Sequence, residues 1–146
     1  MDDDATTTSG DLVVGEADPA LDQRLSDELD RWNAGATPEV APARELTVQV
    51  RDDDDLVAGV SGWTWGVAAG MAMVWVDADR RGTGVGARVV GAFEDEARRR
   101  GCTHVVTTSF TFQAPGFYER LGYEEFARWD ALPTPGRADV HLRKVL

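Results

Sequence analysis

A mixed α+β domain built around one sheet is the fold class this sequence predicts, on three observations. Period-two apolar strands crowd the middle and the end of the chain. Helix-period segments interrupt them. Glycine or Pro-Gly turns stand at most of the changeovers. The 146 residues suit one domain, and 42% apolar residues can fill one core.

Residues 1–10 read as a disordered acidic tail, and residues 11–146 as a single domain. "DLVVGEAD" predicts a short first strand. A helix follows, with Asp18 as its cap and Pro19 in its first turn. Leu21, Leu25, Leu29 and Trp32 recur on one face of that helix and are expected to meet the core. "NAGATPEVAPA" is a loop. "ELTVQV", Glu45 to Val50, and "LVAGVSGWTW" then form a hairpin across "RDDDD". "MAMVWV" carries bulky residues on both faces, which predicts a central strand. A glycine loop follows it directly.

The next helix runs from about Val85 to Arg100, with Val89, Val90, Phe93 and Ala97 on its apolar face and Gly101 as its stop. "HVVTTSF" is a buried strand. "APGFYERLG" is a short helix ended by Gly122. "EEFARWDAL" and "ADVHLRKVL" are two last strands joined through "PTPG". Residues 56–76 carry no charge and are long enough to span a bilayer. Their four glycines, three tryptophans and central "WGVAAG" instead predict two strands and a turn, with no membrane segment.

Charge narrows the partners. There are 26 acidic against 15 basic residues, for a net charge of −11, and Lys144 is the sole lysine. Such a surface repels nucleic acid. It suits molar salt, where a Debye length of about 3 Å screens the crowded carboxylates, so a halophilic protein is expected. Cys102 stands alone and is expected to be a packing residue, which suits a reducing cytoplasm. "MDDDATTTSGD" has neither the basic region nor the apolar core of an export signal.

The loop "RRGTGVGARVV", residues 80–90, carries the chemistry. Its letters from Gly82 to Ala87 satisfy the dinucleotide fingerprint G-x-G-x-x-A. That reading requires an acid at the end of the next strand, and "TTSF" has none. The lysine of a nucleotide-triphosphate loop is missing too. Read from Arg81, the letters are R-x-x-G-x-G between a strand and a helix. Glycines let the main chain approach a phosphate, the helix N-terminus points N–H groups at it, and Arg81 adds charge. A pyrophosphate fits such a cradle.

"VWVDADRRGTGVGARVVGAFEDEARRRG" followed by "QAPGFYERLGYEEFAR" resembles the GCN5-related N-acetyltransferase (GNAT) family in both main signatures, across residues 45–146. The resemblance implies a mostly antiparallel sheet whose "MAMVWV" and His104–Ser109 strands splay apart around the pantetheine arm of acetyl-CoA. Main-chain groups near Val74 and Val76 would pair with that arm. Arg81, Gly82, Thr83, Gly84, Val85 and Gly86 would hold the pyrophosphate. Tyr118 would serve the departing thiolate as acid or hydrogen-bond donor. The implied reaction is direct attack by an amine of a small molecule or peptide, with no metal and with a homodimer as a candidate assembly. The alternative is an acyl-CoA-binding sensor without turnover.

The acceptor side is less defined. Trp63 and Trp65 share one face of their strand, and Phe110, Phe112 and Gln113 lead into the Tyr118 helix; these five are candidate acceptor residues, with core packing or shaping of the turn as their other roles. No general base is legible. Asp77 is expected to shape the loop, and Glu124, Glu125 and His141 lie on late elements as surface residues able to relay a proton through water.

Overall fold

The computed structural model of the chain describes residues 10–146. The acidic tail expected over residues 1–10 lies outside these, apart from an exposed Gly10. Helix α1 spans Pro19–Ala36, and Asp18 caps it by accepting the N–H groups of Ala20 and Leu21 at 3.0 Å. Its expected core face is not in the core. Leu21, Leu25, Leu29 and Trp32 are 52%, 51%, 61% and 76% exposed, and no residue of α1 is buried. Its local order rests on the cap and on pairs along its own surface, Arg24–Glu28 at 2.6 Å and Gln23–Asp27 at 2.8 Å.

The short strand expected from "DLVVGEAD" does not form. Leu12, Val13 and Val14 stand in solvent, and no described strand pairs with them. Strand propensity needs a partner ladder to become a strand, and this segment has none.

The remaining elements fall where the sequence predicts them. Strands β1 (Arg44–Asp52), β2 (Asp55–Trp65) and β3 (Ala68–Val76) form an antiparallel meander. A one-turn 3₁₀ segment, Ala78–Arg80, leads into α2 (Val85–Arg99). Strand β4 (His104–Phe110) follows, then α3 (Pro115–Arg120), β5 (Glu124–Asp130) and β6 (Ala138–Val145). The six strands run in the order β1-β2-β3-β4-β6-β5, and only β3 and β4 are parallel. Gly101 and Gly122 stop their helices with φ of 89° and 93°.

Helices α2 and α3 cover one face of the sheet. There Phe93, Val89, Val90 and Ala97 pack on Leu46, Val60, Val105, Val140 and Leu142. Cys102 belongs to the same core, its Sγ 3.4 Å from the Ala68 carbonyl, and burial pushes its thiol up. The other face is open. Strand β3 is central, as predicted, yet its Met73 and Trp75 are 67% and 46% exposed. Among the described residues no helix is long and apolar enough to cross a membrane.

Beneath α2 lies an ion pair that the sequence did not announce. Lys144 on β6 donates to both oxygens of buried Glu94 on α2, at 2.9 and 3.1 Å.

Candidate active site

The site is built where β3 and β4 part. Their parallel pairing runs from Ala68–His104 to Met71–Thr107 and stops there. Strand β3 continues to Val76 and β4 to Phe110. The edges of Ala72–Val76 and Thr108–Phe110 that would have faced each other are therefore free of one another. A bulge sits at the parting point: Gly62 pairs with Met71 and Ser61 with Met73, which leaves Ala72 as an extra residue in β3. The bulge shifts the phase of the strand. Ala69 and Met71 face the helical core before it, and Val74 and Val76 face that core after it. Gly62 stands opposite the bulge, where a Cβ would lie 2.0 Å from the Gly70 carbonyl oxygen.

The glycine loop closes the far end of β3. Asp77 caps the 3₁₀ turn by accepting the Asp79 N–H at 2.9 Å, the loop-shaping role expected of it. Arg80 is taken up by Asp52 at 2.5 Å, whereas Arg81 is exposed and its Nε donates to the Val76 carbonyl at 3.4 Å. Thr83 Oγ1 donates to the Arg80 carbonyl at 2.5 Å and tightens the loop. Gly82 and Gly84 have φ of 74° and 84°, and a Cβ on either would enter open space. Gly84 is the N-cap of α2 with no side chain over it, so the first N–H groups of the helix face outward uncovered. Val85 and Gly86 are buried, and a Cβ on Gly86 would come within 3.2 Å of the Phe117 ring and Val76. An added Cβ there would make these side chains give by a few tenths of an ångström.

Tyr118 stands on the helical face at the parting point. It is 7% exposed, packed edge-on against Phe117 and Tyr123 at 5.1 and 5.7 Å between centroids. Burial pushes its phenol up, and the neighbouring Thr107 hydroxyl pulls the other way. Thr107, the last paired residue of β4, also donates to the Met71 carbonyl across the pair at 3.1 Å.

The aromatic candidates gather on the other side. Trp63 and Trp65 lie on the open face, each 39% exposed. The Trp63 indole lies flat over Gly70, where a Cβ would meet it at 2.5 Å. Phe110 and Phe112 stack at 5.2 Å with 10° between planes, at the free end of β4. Gln113 is committed elsewhere: its side-chain oxygen accepts the Phe110 N–H at 2.9 Å and closes the turn into α3. Glu125 is held by Arg128 at 2.8 and 3.0 Å, which lowers its carboxyl below the usual range, and Glu124 is exposed. His141 lies on the open face with Nε2 3.1 Å from Asp139. The parting of β3 and β4 thus separates a phosphate-type cradle and a buried phenol from an aromatic surface. Among the described residues no cluster of side chains suited to a metal ion occurs.

Comparison with known proteins agrees with this arrangement. The family described as "Acetyltransferase (GNAT) family" matches residues 12–123. Blasticidin-S acetyltransferase of Streptomyces morookaense is 40% identical over 73 residues, which are 47% of this chain and 52% of that protein, so the similarity spans about half of that relative. The crystal structure of an acetyltransferase from Bacillus cereus superposes with a TM-score of 0.76 at 23% identity, covering 92% of this chain and 98% of the other. An aminoglycoside 6'-N-acetyltransferase complexed with coenzyme A superposes at 0.63 and 21% identity, over 88% and 92% of the two chains. The match across residues 12–123 identifies this chain as a member of the GNAT acetyltransferase family, and the parted strands and the glycine loop at the uncovered N-terminus of α2 agree with it.

Proposed function

We propose that residues 11–146 act as one acetyltransferase domain that moves an acetyl group from acetyl-CoA to a primary amine of a small molecule or peptide. The observation that carries this reading is the parting of β3 and β4 between a phosphate cradle on one side and an aromatic surface on the other. Acetyl-CoA would supply an activated acetyl carbon and a thiolate leaving group. Arg81 and the N–H groups at the start of α2 would hold its pyrophosphate. Free main-chain groups of Ala72–Val76 would align its arm, and an N–H at the Ala72 bulge would meet negative charge developing on the carbonyl oxygen. The Tyr118 hydroxyl would give its proton to sulfur. Trp63 and the Phe110–Phe112 stack would hold a flat or apolar part of the acceptor. Holding both reactants in line supplies much of the rate.

The named relatives favour a small antibiotic-like amine as the acceptor. The test is thiol release from acetyl-CoA, in molar potassium chloride, with blasticidin S, an aminoglycoside and a peptide with a free N-terminus. Turnover is expected on at least one of the first two. Coenzyme A binding without turnover on any amine would instead favour the sensor.

A further inference from the structure

The Asp139–His141 pair on β6 lies outside the fold's core cluster. Asp139 Oδ2 lies 3.1 Å from His141 Nε2. The Asp139 side chain is 14% exposed, and its other oxygen, Oδ1, is buried with no hydrogen-bond partner. A buried carboxylate oxygen without a hydrogen-bond partner is costly in a fold and calls for an explanation.

Register fixes where the pair stands. Thr107, beside the Tyr118 hydroxyl, is paired with Leu142 on the helical face. The next pair along is Thr108–His141, and alternation turns His141 to the open face. Thr108 is the first residue of β4 beyond the last contact with β3. Tyr118 and His141 therefore flank the same parting point from opposite faces of the sheet. Asp139 lies one step further along β6, opposite Phe110.

We infer that His141 is the general base that receives a proton from the acceptor amine, and that Asp139 is the residue that positions it. This rests on the acetyltransferase reading above. Asp139 Oδ2, 3.1 Å from Nε2, would favour the tautomer with its proton on Nε2 and leave the Nδ1 lone pair for the acceptor, and the His141 side chain is 34% exposed. The ammonium form of the acceptor gives one proton to Nδ1. The neutral nitrogen forms the C–N bond with its lone pair, and the C–S bond breaks with its electrons going to sulfur. Tyr118 gives its proton to that sulfur, and the nitrogen's surplus proton restores the phenol. Amide, free thiol and one proton released to water through His141 balance the step.

The ring is otherwise bordered by uncharged groups, Thr108 on β4 and Ala127 and the Phe126 edge on β5; Arg143, two residues along β6, lies over Phe126 at 5.4 Å. Asp139 is thus the one carboxylate within ion-pair distance of it among the described residues.

The test uses His141→Gln and Asp139→Asn with the best acceptor of the amine panel, and nitrogen NMR of the imidazoles, which is simple because the chain has two histidines. His141→Gln should lose about 10²-fold or more in kcat and keep its affinity for coenzyme A. Its remaining rate should climb as pH approaches the amine's own pKa, where solvent removes the proton, while the wild type levels off. NMR should show the Nε2–H tautomer at His141 in the wild type and its loss in Asp139→Asn. An unchanged kcat in His141→Gln, or an Nδ1–H tautomer in the wild type, overturns the assignment and leaves the acetyltransferase reading intact. A wild type that acetylates none of the amines overturns both.

Discussion

Tyr123 donates its hydroxyl to Glu94 Oε1 at 3.0 Å, and that carboxylate is the one that also receives Lys144. The three groups tie α2, β6 and the turn after α3 together directly beneath Tyr118, whose ring packs edge-on against Tyr123. The fold thus anchors the candidate acid through a buried charge cluster.

Breaking this cluster on one side should be damaging. Glu94→Ala leaves the Lys144 ammonium without its carboxylate and is expected to lower stability by about 3 kcal/mol. Tyr123→Phe removes one hydrogen bond to a charged group, a loss of about 1.5–3 kcal/mol. The pH dependence has a definite sign. Burial, then the Glu94 carboxylate, pushes the Tyr123 phenol up, and burial does the same to Tyr118. Both phenols stay protonated in the fold after they would ionise in the unfolded chain. Their contribution is fully present below about pH 10 and is lost as pH rises beyond it, by about 1.4 kcal/mol per pH unit for each group. Denaturant melts from pH 8 to 11 check this: stability that stays level above pH 10 contradicts it.

The glycine loop offers a binding test. Gly84→Val forces a branched side chain into φ 84° and places it in front of the uncovered N–H groups of α2. Coenzyme A binding should disappear while the fold survives. Arg81→Ala should weaken binding by about 1–3 kcal/mol. Calorimetric titration of the wild type should show coenzyme A binding and no heat with NAD(H). Retained coenzyme A affinity in folded Gly84→Val would remove the pyrophosphate assignment.

Tyr118→Phe deletes a hydroxyl and keeps the ring against Phe117 and Tyr123. Turnover should fall about 10²–10⁴-fold with coenzyme A affinity nearly unchanged. If the variant is fully active, another group or water protonates the thiolate.

Salt should raise the melting temperature. With a net charge of −11, most carboxylates stand on the surface, and potassium chloride screens their repulsion. A melting midpoint that fails to rise between dilute and molar salt would assign the acidity to another cause.

From Glu45 onward the elements were legible because apolar period and turn glycines agree at each boundary. The glycine loop proposed to hold a pyrophosphate was legible as a turn for the same reason, and Gly82 and Gly84 do take positive φ. Two kinds of feature were not. Periodicity in α1 revealed an apolar stripe, but a stripe says nothing about whether an element packs on it; Leu29 and Trp32 met solvent. The Ala72 bulge is a matter of register between Ser61, Gly62, Met71 and Met73, and register belongs to pairs of strands. His141 was visible as a surface residue able to relay a proton through water, but not as a member of a pair, because that depends on Asp139 and on which face of β6 adjoins the parting point. Gln113 carried a polar side chain in the right place and spends it on the turn.

The Lys144–Glu94 pair has a chemical consequence of another kind. A protein of the acetyltransferase family carries an activated acyl group among its own nucleophiles, and Lys144 is its sole side-chain amine. That amine is held as an ammonium against a buried carboxylate at 2.9 Å, with its Nζ 5.7 Å from the Tyr123 ring centroid. The remaining cationic side chains are guanidinium groups, which hold their protons and do not compete for the acyl carbon. The protein is thereby shielded from acylating its own side chains. The same pairing makes Lys144 a poor target for amine-directed dyes and crosslinkers.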